Sequence, residues 1–262
     1  MSAVLQRVLN ALRRWPKHPV DSLYGIETSQ KVLRMRLNSG DKAADEANNG
    51  YAGSQPSIVR HAVAMLPPME EAHFIDLGCG KGRVLAVATE FAFRSVVGIE
   101  LSPPLHRMAS RNAKRVAARH PDRTPIKAIR GDATHPALPP TGDVVLFLYN
   151  SFRAPLIATL IDYLKTAVGQ RTGGRLFLIY YNPTNAALFD ASDAFVRYYA
   201  ERRGFAADEP MTFTNDFDSV VIWQARSSEM AAPLPGADRR VEVVIPDRAA
   251  IVQHEAEPGA GA

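Results

Sequence analysis

Phe74-Ile75-Asp76-Leu77-Gly78-Cys79-Gly80-Lys81-Gly82-Arg83 decides the fold of this 262-residue chain. An apolar run carrying one acid turns through three alternating glycines and enters the helical pattern Val84-Leu85-Ala86-Val87-Ala88. A strand, a glycine turn and a helix start together form a cradle for a nucleotide cofactor. Glycines let the backbone approach a ligand, and the first turn of a helix carries unpaired N–H groups. The spacing is G-x-G-x-G, with Asp76 two residues ahead of Gly78. The dinucleotide fingerprint has a different spacing, G-x-G-x-x-G.

Further strands follow in order. Ser95-Val96-Val97-Gly98-Ile99-Glu100 reads as a second buried strand ending in an acid 22 positions after Gly78. A carboxylate there can accept hydrogen bonds from both hydroxyls of a ribose. Residues 126–133 form a third strand ending in Gly131-Asp132-Ala133, and residues 143–150 a fourth, followed by Ser151-Phe152. With the glycine turn, these signals across residues 74–152 resemble the class I S-adenosylmethionine-dependent methyltransferases. The resemblance implies an α/β fold: a doubly wound, mostly parallel seven-stranded sheet with an antiparallel closing strand, here preceded by an N-terminal helical segment. It implies S-adenosyl-L-methionine as cofactor. The expected contacts are Asp76, Gly78, Cys79, Gly80 and Gly82 in the turn, Glu100 and Leu101 after strand two, and Asp132 and Ala133 after strand three. In the family an acid at the Asp132 position commonly holds the adenine amine.

Composition narrows the class of protein. Hydrophobic residues make up 46%, enough for a sizeable core. The single cysteine, Cys79, excludes an internal disulfide framework and a thiolate zinc cluster, and fits a reducing compartment, so the cytoplasm is expected. No apolar run approaches the ~20 residues that span a bilayer, and no secretion signal is read. Net charge is only +4, but residues 106–130 hold eight Lys or Arg against Asp122 alone. Arg107, Arg111, Arg115 and Arg119 recur every four residues and share a helix face. This reads first as a solvated face. A nucleic-acid track lacks the interleaved aromatics that stacking on unpaired bases needs.

Residues 1–66 are expected to form a helical and gate segment, 67–226 the cofactor-binding domain, and 227–262 a mobile tail rich in Ala, Pro, Gly and charge. Residues 2–15 carry an amphipathic helical pattern suited to docking on the domain or to weak surface association. Residues 21–50 are polar and read as irregular. The turn Tyr51-Ala52-Gly53-Ser54-Gln55-Pro56-Ser57 resembles the N-terminal gate of several protein and amine methyltransferases, which folds over the methionine end of the cofactor. Helices are expected near 81–92, 103–119, 153–169 and 184–192, and strands at 175–181, 194–200 and 218–225.

Asn150 ends strand four, where ligands of open α/β sheets collect. Amine-modifying members carry Asn or Asp followed by Pro-Pro and an aromatic here. Asn150-Ser151-Phe152 departs from that and is somewhat more similar to the Asn-Asn-Phe segment of non-SET nucleosomal histone-lysine methyltransferases. Asn150, Tyr149 and Phe152 are therefore the expected catalytic residues, with an amine of a protein or small molecule as acceptor. Alternatively, Asn150 caps the next helix. Asn182-Pro183 reads as a turn, and the histidines show no metal-ligand spacing. A nicotinamide-dependent oxidoreductase and a non-catalytic cofactor- or partner-binding protein are the competing functions.

Overall fold

The computed structural model describes residues 17–33, 36–40, 45–46, 48–69, 71–209, 216–227, 229–244 and 251–253. The helix expected over 2–15 lies outside them. In chain order the elements are α1 (Pro19–Tyr24), α2 (Pro56–Ala64), β1 (His73–Leu77), α3 (Arg83–Ala88), β2 (Ser95–Glu100), α4 (Pro103–Arg119), β3 (Ile126–Arg130) and β4 (Val144–Tyr149). They continue with α5 (Ala154–Gly169), β5 (Leu176–Tyr181), α6 (Ala186–Asp190), β6 (Phe195–Gly204), β7 (Phe217–Ala225), β8 (Glu242–Val244) and β9 (Ile251–Gln253).

Seven strands form one sheet in the order β3-β2-β1-β4-β5-β7-β6. The strands β1 to β5 pair in parallel, whereas β7 runs antiparallel between β5 and β6. Strand periodicity sends alternate side chains to opposite faces, so a sheet covered twice needs nearly continuous apolar strands. On β5, Phe177, Ile179 and Tyr181 enter one core, with Ala109 and Val116 of α4 and Ile58 of α2. Leu176, Leu178 and Tyr180 enter the other, with Ile157 and Leu164 of α5 and Phe189 of α6. The sheet is thus doubly wound. Among the described residues no helix is long and apolar enough to cross a membrane.

Two regions differ from the sequence expectation. Residues 17–33 and 48–55 are a strap tied to the sheet by specific polar contacts, not an irregular spacer. Buried Asp21 accepts from the Thr28 N–H at 2.8 Å, from the Thr28 hydroxyl, and from Ser29 at 3.0 Å (N–H) and 2.6 Å (hydroxyl). Arg83 of α3 donates to Thr28 Oγ1 at 2.7 Å, and Arg115 of α4 pairs with Glu27 at 3.0 Å. Part of the basic helix face therefore holds the strap. At the other end, residues 229–244 lie against β6 and β7, where a mobile tail was expected. Leu234 N–H donates to Tyr198 O at 2.8 Å, and Val241 and Val243 are buried. The average composition of the segment hid these two apolar anchors. Glu242–Val244 pair antiparallel with Ile251–Gln253.

Candidate active site

The glycine turn leaves β1 with Gly78, Gly80 and Gly82 at φ values of 80°, 56° and 80°, a region that side chains with a Cβ rarely adopt. Gly82 is the N-cap of α3, so the helix starts at Arg83, two residues later than expected. Three N–H groups of the loop ahead of the helix are paired within the fold. Gly78 and Cys79 donate to Ile99 O at 2.9 and 3.0 Å, and Gly80 donates to Glu100 Oε2 at 2.8 Å. The glycines instead provide room. A Cβ on Gly80 would overlap the Tyr51 ring, and one on Gly78 would lie 2.7 Å from Ser151 Oγ.

A cavity of about 1230 Å³ opens above the carboxyl ends of the strands. Of the residues expected at the site, Asp76, Gly78, Cys79, Gly80, Glu100 and Leu101 line it. Tyr51, Asp132, Ala133, Tyr149, Asn150 and Phe152 do so as well. Gly82 does not; its Cα faces Ala109 of α4 and Leu85, a helix-packing position. The sequence reading missed Lys31 and Asn49 of the strap, Arg83, Arg130 on β3, and Thr184 and Asn185 after β5. The rule that ligands gather at strand carboxyl ends could have flagged the two residues after β5. The strap residues carried no local signal.

Electrostatics at the turn are dominated by burial. Asp76 is 3% exposed, and its Oδ2 has no hydrogen-bond partner among the described residues. Burial, and then the neighbouring Glu100, push its carboxyl well above the usual range. Glu100 is also raised by burial, although its Oε1 accepts from Ser102 N–H at 2.8 Å as its Oε2 does from Gly80. Asp132 Oδ1 accepts from Thr134 N–H at 2.9 Å and from its hydroxyl at 2.8 Å. Tyr51 lies over the loop and donates its hydroxyl to Thr28 O at 2.8 Å.

The acceptor end is built around Asn150, whose φ of 44° turns the chain out of β4. Its backbone O accepts from Asn49 Nδ2 at 2.7 Å, and its Oδ1 accepts from the Thr184 hydroxyl at 2.8 Å. The N-cap of α5 is Arg153, so Asn150 does not cap that helix. Tyr149 stacks on Tyr181 with ring centroids 4.4 Å apart, and burial raises its hydroxyl pKa. Phe152 is buried and bridges backbone-to-backbone with Asn48 of the strap.

Residues 75–154, from the first strand to the start of α5, match the family model described as a methyltransferase domain. No curated protein matches the chain. Solved structures similar to it include TrmN from Thermus thermophilus, at 17% identity and a TM-score of 0.46 over 65% of this chain. The match spans 49% of that protein, about half its length. An RNA methyltransferase from Salinibacter ruber in complex with S-adenosyl-L-homocysteine aligns at 18% identity and a TM-score of 0.41, over 69% of this chain and 97% of that one. A precorrin-6y C5,15-methyltransferase from Geobacter metallireducens GS-15 aligns at 15% and 0.45, over 65% and 88%. Residues 75–154 thus form a methyltransferase domain. S-adenosylmethionine is its cofactor, and the residues present suit it. A buried carboxylate oxygen is left unsatisfied in the cradle, and Gly78 and Gly80 of the turn line the same cavity as Glu100 and Asp132.

Proposed function

We propose that this methyltransferase transfers the methyl group to an amine nitrogen, a protein amine ahead of a small-molecule amine. The observation that carries the reading is Asn150, held at the end of β4 in the same cavity as the glycine turn. Its backbone O accepts one hydrogen bond, from Asn49 Nδ2 at 2.7 Å, and keeps capacity for an amine N–H; its Oδ1 accepts from the Thr184 hydroxyl at 2.8 Å and, over a long 3.4 Å, from Asn49 Nδ2, a weak contact that an amine N–H would replace. Neutral carbonyls aim an amine's lone pair without fixing a positive charge on it, and burial further disfavours the charged form. Bound S-adenosylmethionine supplies a methyl on a positively charged sulfur. The protein's part is alignment, which alone can supply ~7–11 kcal/mol of the barrier.

In this reading Asp76, Gly78, Cys79 and Gly80 hold the amino-acid end of the cofactor, Glu100 and Leu101 the ribose, and Asp132 and Ala133 the adenine. Gly82 sets the turn. Tyr149 and Phe152 wall the acceptor position, and the strap carrying Tyr51 closes over the cofactor. The cavity exceeds the ~300–1,000 Å³ typical of a single small ligand, which supports a second occupant. Exposed Leu33 lines it and suits the reach of a long side chain.

A second reading, a nucleic-acid amine, is supported by exposed Arg107, Arg111, Lys114 and Lys127 together with Arg130, which is exposed and also lines the cavity. One experiment separates the readings. The protein is incubated with methyl-labelled cofactor and a lysate divided into protein, nucleic acid and small molecules. Label in the protein fraction, located on nitrogen by mass spectrometry, is expected. A methyl found on oxygen, carbon or sulfur defeats the nitrogen assignment.

A further inference from the structure

We infer that Asn49 of the strap is a positioning residue for methyl transfer: it holds the turn at Asn150 in the shape that presents the acceptor to the methyl group. The inference rests on the reading of Asn150 as the acceptor contact, and adds to it a residue 101 positions earlier in the chain.

The turn needs a hold from outside itself. Asn150 sits at a φ of 44°, a left-handed conformation that glycine adopts freely and that asparagine or aspartate visits only occasionally. Residues 150–153 lie between the end of β4 at Tyr149 and the start of α5 at Ala154. Asn49 takes two successive carbonyls of this stretch. Its Nδ2 donates to Asn150 O at 2.7 Å, and its backbone N–H donates to Ser151 O at 2.9 Å. A carbonyl is rigid within its peptide plane, so two such bonds from one residue orient two consecutive planes. On the other side, the Thr184 hydroxyl holds only the carboxamide, at 2.8 Å. The backbone of the turn therefore depends on Asn49.

Asn49 is itself fixed in place. Asn48 bridges to Phe152 and Tyr51 bridges to Val32, the second through two backbone hydrogen bonds at 3.0 and 2.8 Å. Residues 48–51 thus form a short link from the acceptor turn to the Tyr51 ring, which lies on Gly80. Asn49 and Asn150 line the same cavity. Alignment is what methyl transfer asks of the protein, and a misplacement of ~1 Å can cost about 100-fold in rate.

Asn49→Asp tests the inference, because the side chain keeps its size, loses its N–H donors and turns a charge toward the Asn150 carbonyl. Protein loaded with a limiting amount of methyl-labelled S-adenosylmethionine is mixed with an excess of the lysate fraction that takes up label, and the first-order rate of transfer is read. The rate should fall about 10- to 100-fold, while calorimetric affinity for S-adenosylhomocysteine stays within about twofold. A residue that only stabilises the fold would lower the amount of S-adenosylhomocysteine bound per protein and leave the rate of the bound fraction unchanged, and that result overturns the inference. Asn150→Gly in the same assay separates two failures. Wild-type transfer in Asn150→Gly brings down the acceptor reading and this inference with it; slow transfer in Asn150→Gly beside wild-type transfer in Asn49→Asp brings down this inference alone. A second measurement needs no acceptor. Amide hydrogen exchange across residues 148–154 should be at least about fivefold faster in Asn49→Asp than in the wild type, with β1 and β2 unchanged. Unchanged exchange across 148–154 would mean that Asn49 does not hold the turn. Should Asn49→Asp fail to fold, Asn49→Ala removes the same side-chain donor and is read by the same two measurements.

Discussion

Glu100 carries two loads with one carboxylate. It accepts the N–H groups of Gly80 and Ser102, which fixes the glycine turn, and it lines the cavity where a ribose would sit. Glu100→Ala would leave two buried donors unsatisfied as well as removing the ribose acceptor, and charge-assisted hydrogen bonds are worth ~1.5–3 kcal/mol each. Affinity for S-adenosylhomocysteine should drop at least about tenfold by calorimetry; an unchanged affinity removes Glu100 from the site. Asn150 calls for a different pair of variants, because its φ of 44° is tolerated by asparagine and glycine but strained for alanine. Asn150→Gly keeps the backbone and loses the carboxamide, so it isolates the chemistry. We expect turnover to fall much more than cofactor affinity, the signature of a contact that strengthens toward the transition state. Wild-type turnover in Asn150→Gly would show that the side chain only shapes the loop. Both positions were legible in the sequence because each ends a recognisable strand. Their partners were not: the Asn49 and Thr184 contacts to Asn150 span 101 and 34 residues.

At the scale of elements, the strap and the glycine turn are a matched pair. Gly80→Ala would push a methyl into the Tyr51 ring at a φ of 56°, so cofactor affinity should fall while the sheet stays folded. Adding Tyr51→Ala should restore part of the fold stability lost in Gly80→Ala, giving a non-additive double-mutant cycle in thermal unfolding. Strictly additive effects would show that the ring and the glycine do not meet. The strap is also linked to the closing strands through a buried path. His18 meets Gln55 at 2.9 Å, Gln55 N–H reaches Tyr181 Oη at 3.4 Å, and Tyr181 donates to Asp218 Oδ2 at 2.7 Å. Burial pushes the Asp218 carboxyl up to about 7, outweighing the Tyr181 bond that acts the other way. The unfolded chain titrates it near 3.9, so between these values the folded state holds a proton that the unfolded state does not. This contribution to stability is complete below the unfolded pKa and is lost as pH rises toward 7, at up to about 1.4 kcal/mol per pH unit. Asp218→Asn should flatten that part of the pH dependence in urea unfolding between pH 4 and 8. An identical slope in the variant would mean that Asp218 is charged in the fold throughout.

For the molecule as a whole, the sheet was legible because its strands repeat a local signal. Two-sided burial demands apolar residues at every position, and Val144-Val145-Leu146-Phe147-Leu148 or Leu176-Phe177-Leu178-Ile179-Tyr180 announce it without help from the rest of the chain. The ends of the chain follow another logic. Asp21 is buried because Thr28 and Ser29 wrap its carboxylate, and that wrap is secured in turn by Arg83, which lies 55 residues beyond Thr28. Such closure leaves no period to read. Residues 229–244 are similar: a polar, proline-rich segment held by a few anchors. Ala231 N–H donates to Gln224 Oε1 at 3.1 Å, Arg197 donates to Arg239 O at 3.1 Å, and Val241 joins the core of Phe195 and Trp223. Removing the chain after residue 227 should therefore destabilise the protein even though, among the described residues, none beyond 227 lines the cavity. Re-exposing what two buried valines cover costs about 3–5 kcal/mol. For a domain of this size each kcal/mol lowers Tm by about 2–4 °C, so calorimetric melting should shift down by roughly 6–20 °C. Val241→Ala should reproduce a part of that shift. Affinity for S-adenosylhomocysteine, measured well below the lowered Tm, should stay within about twofold, because folded truncated protein still presents the complete cavity. A melting temperature unchanged by truncation would mean that these anchors add nothing to stability, and a lost binding site would mean that the segment supports the cavity as well as the sheet.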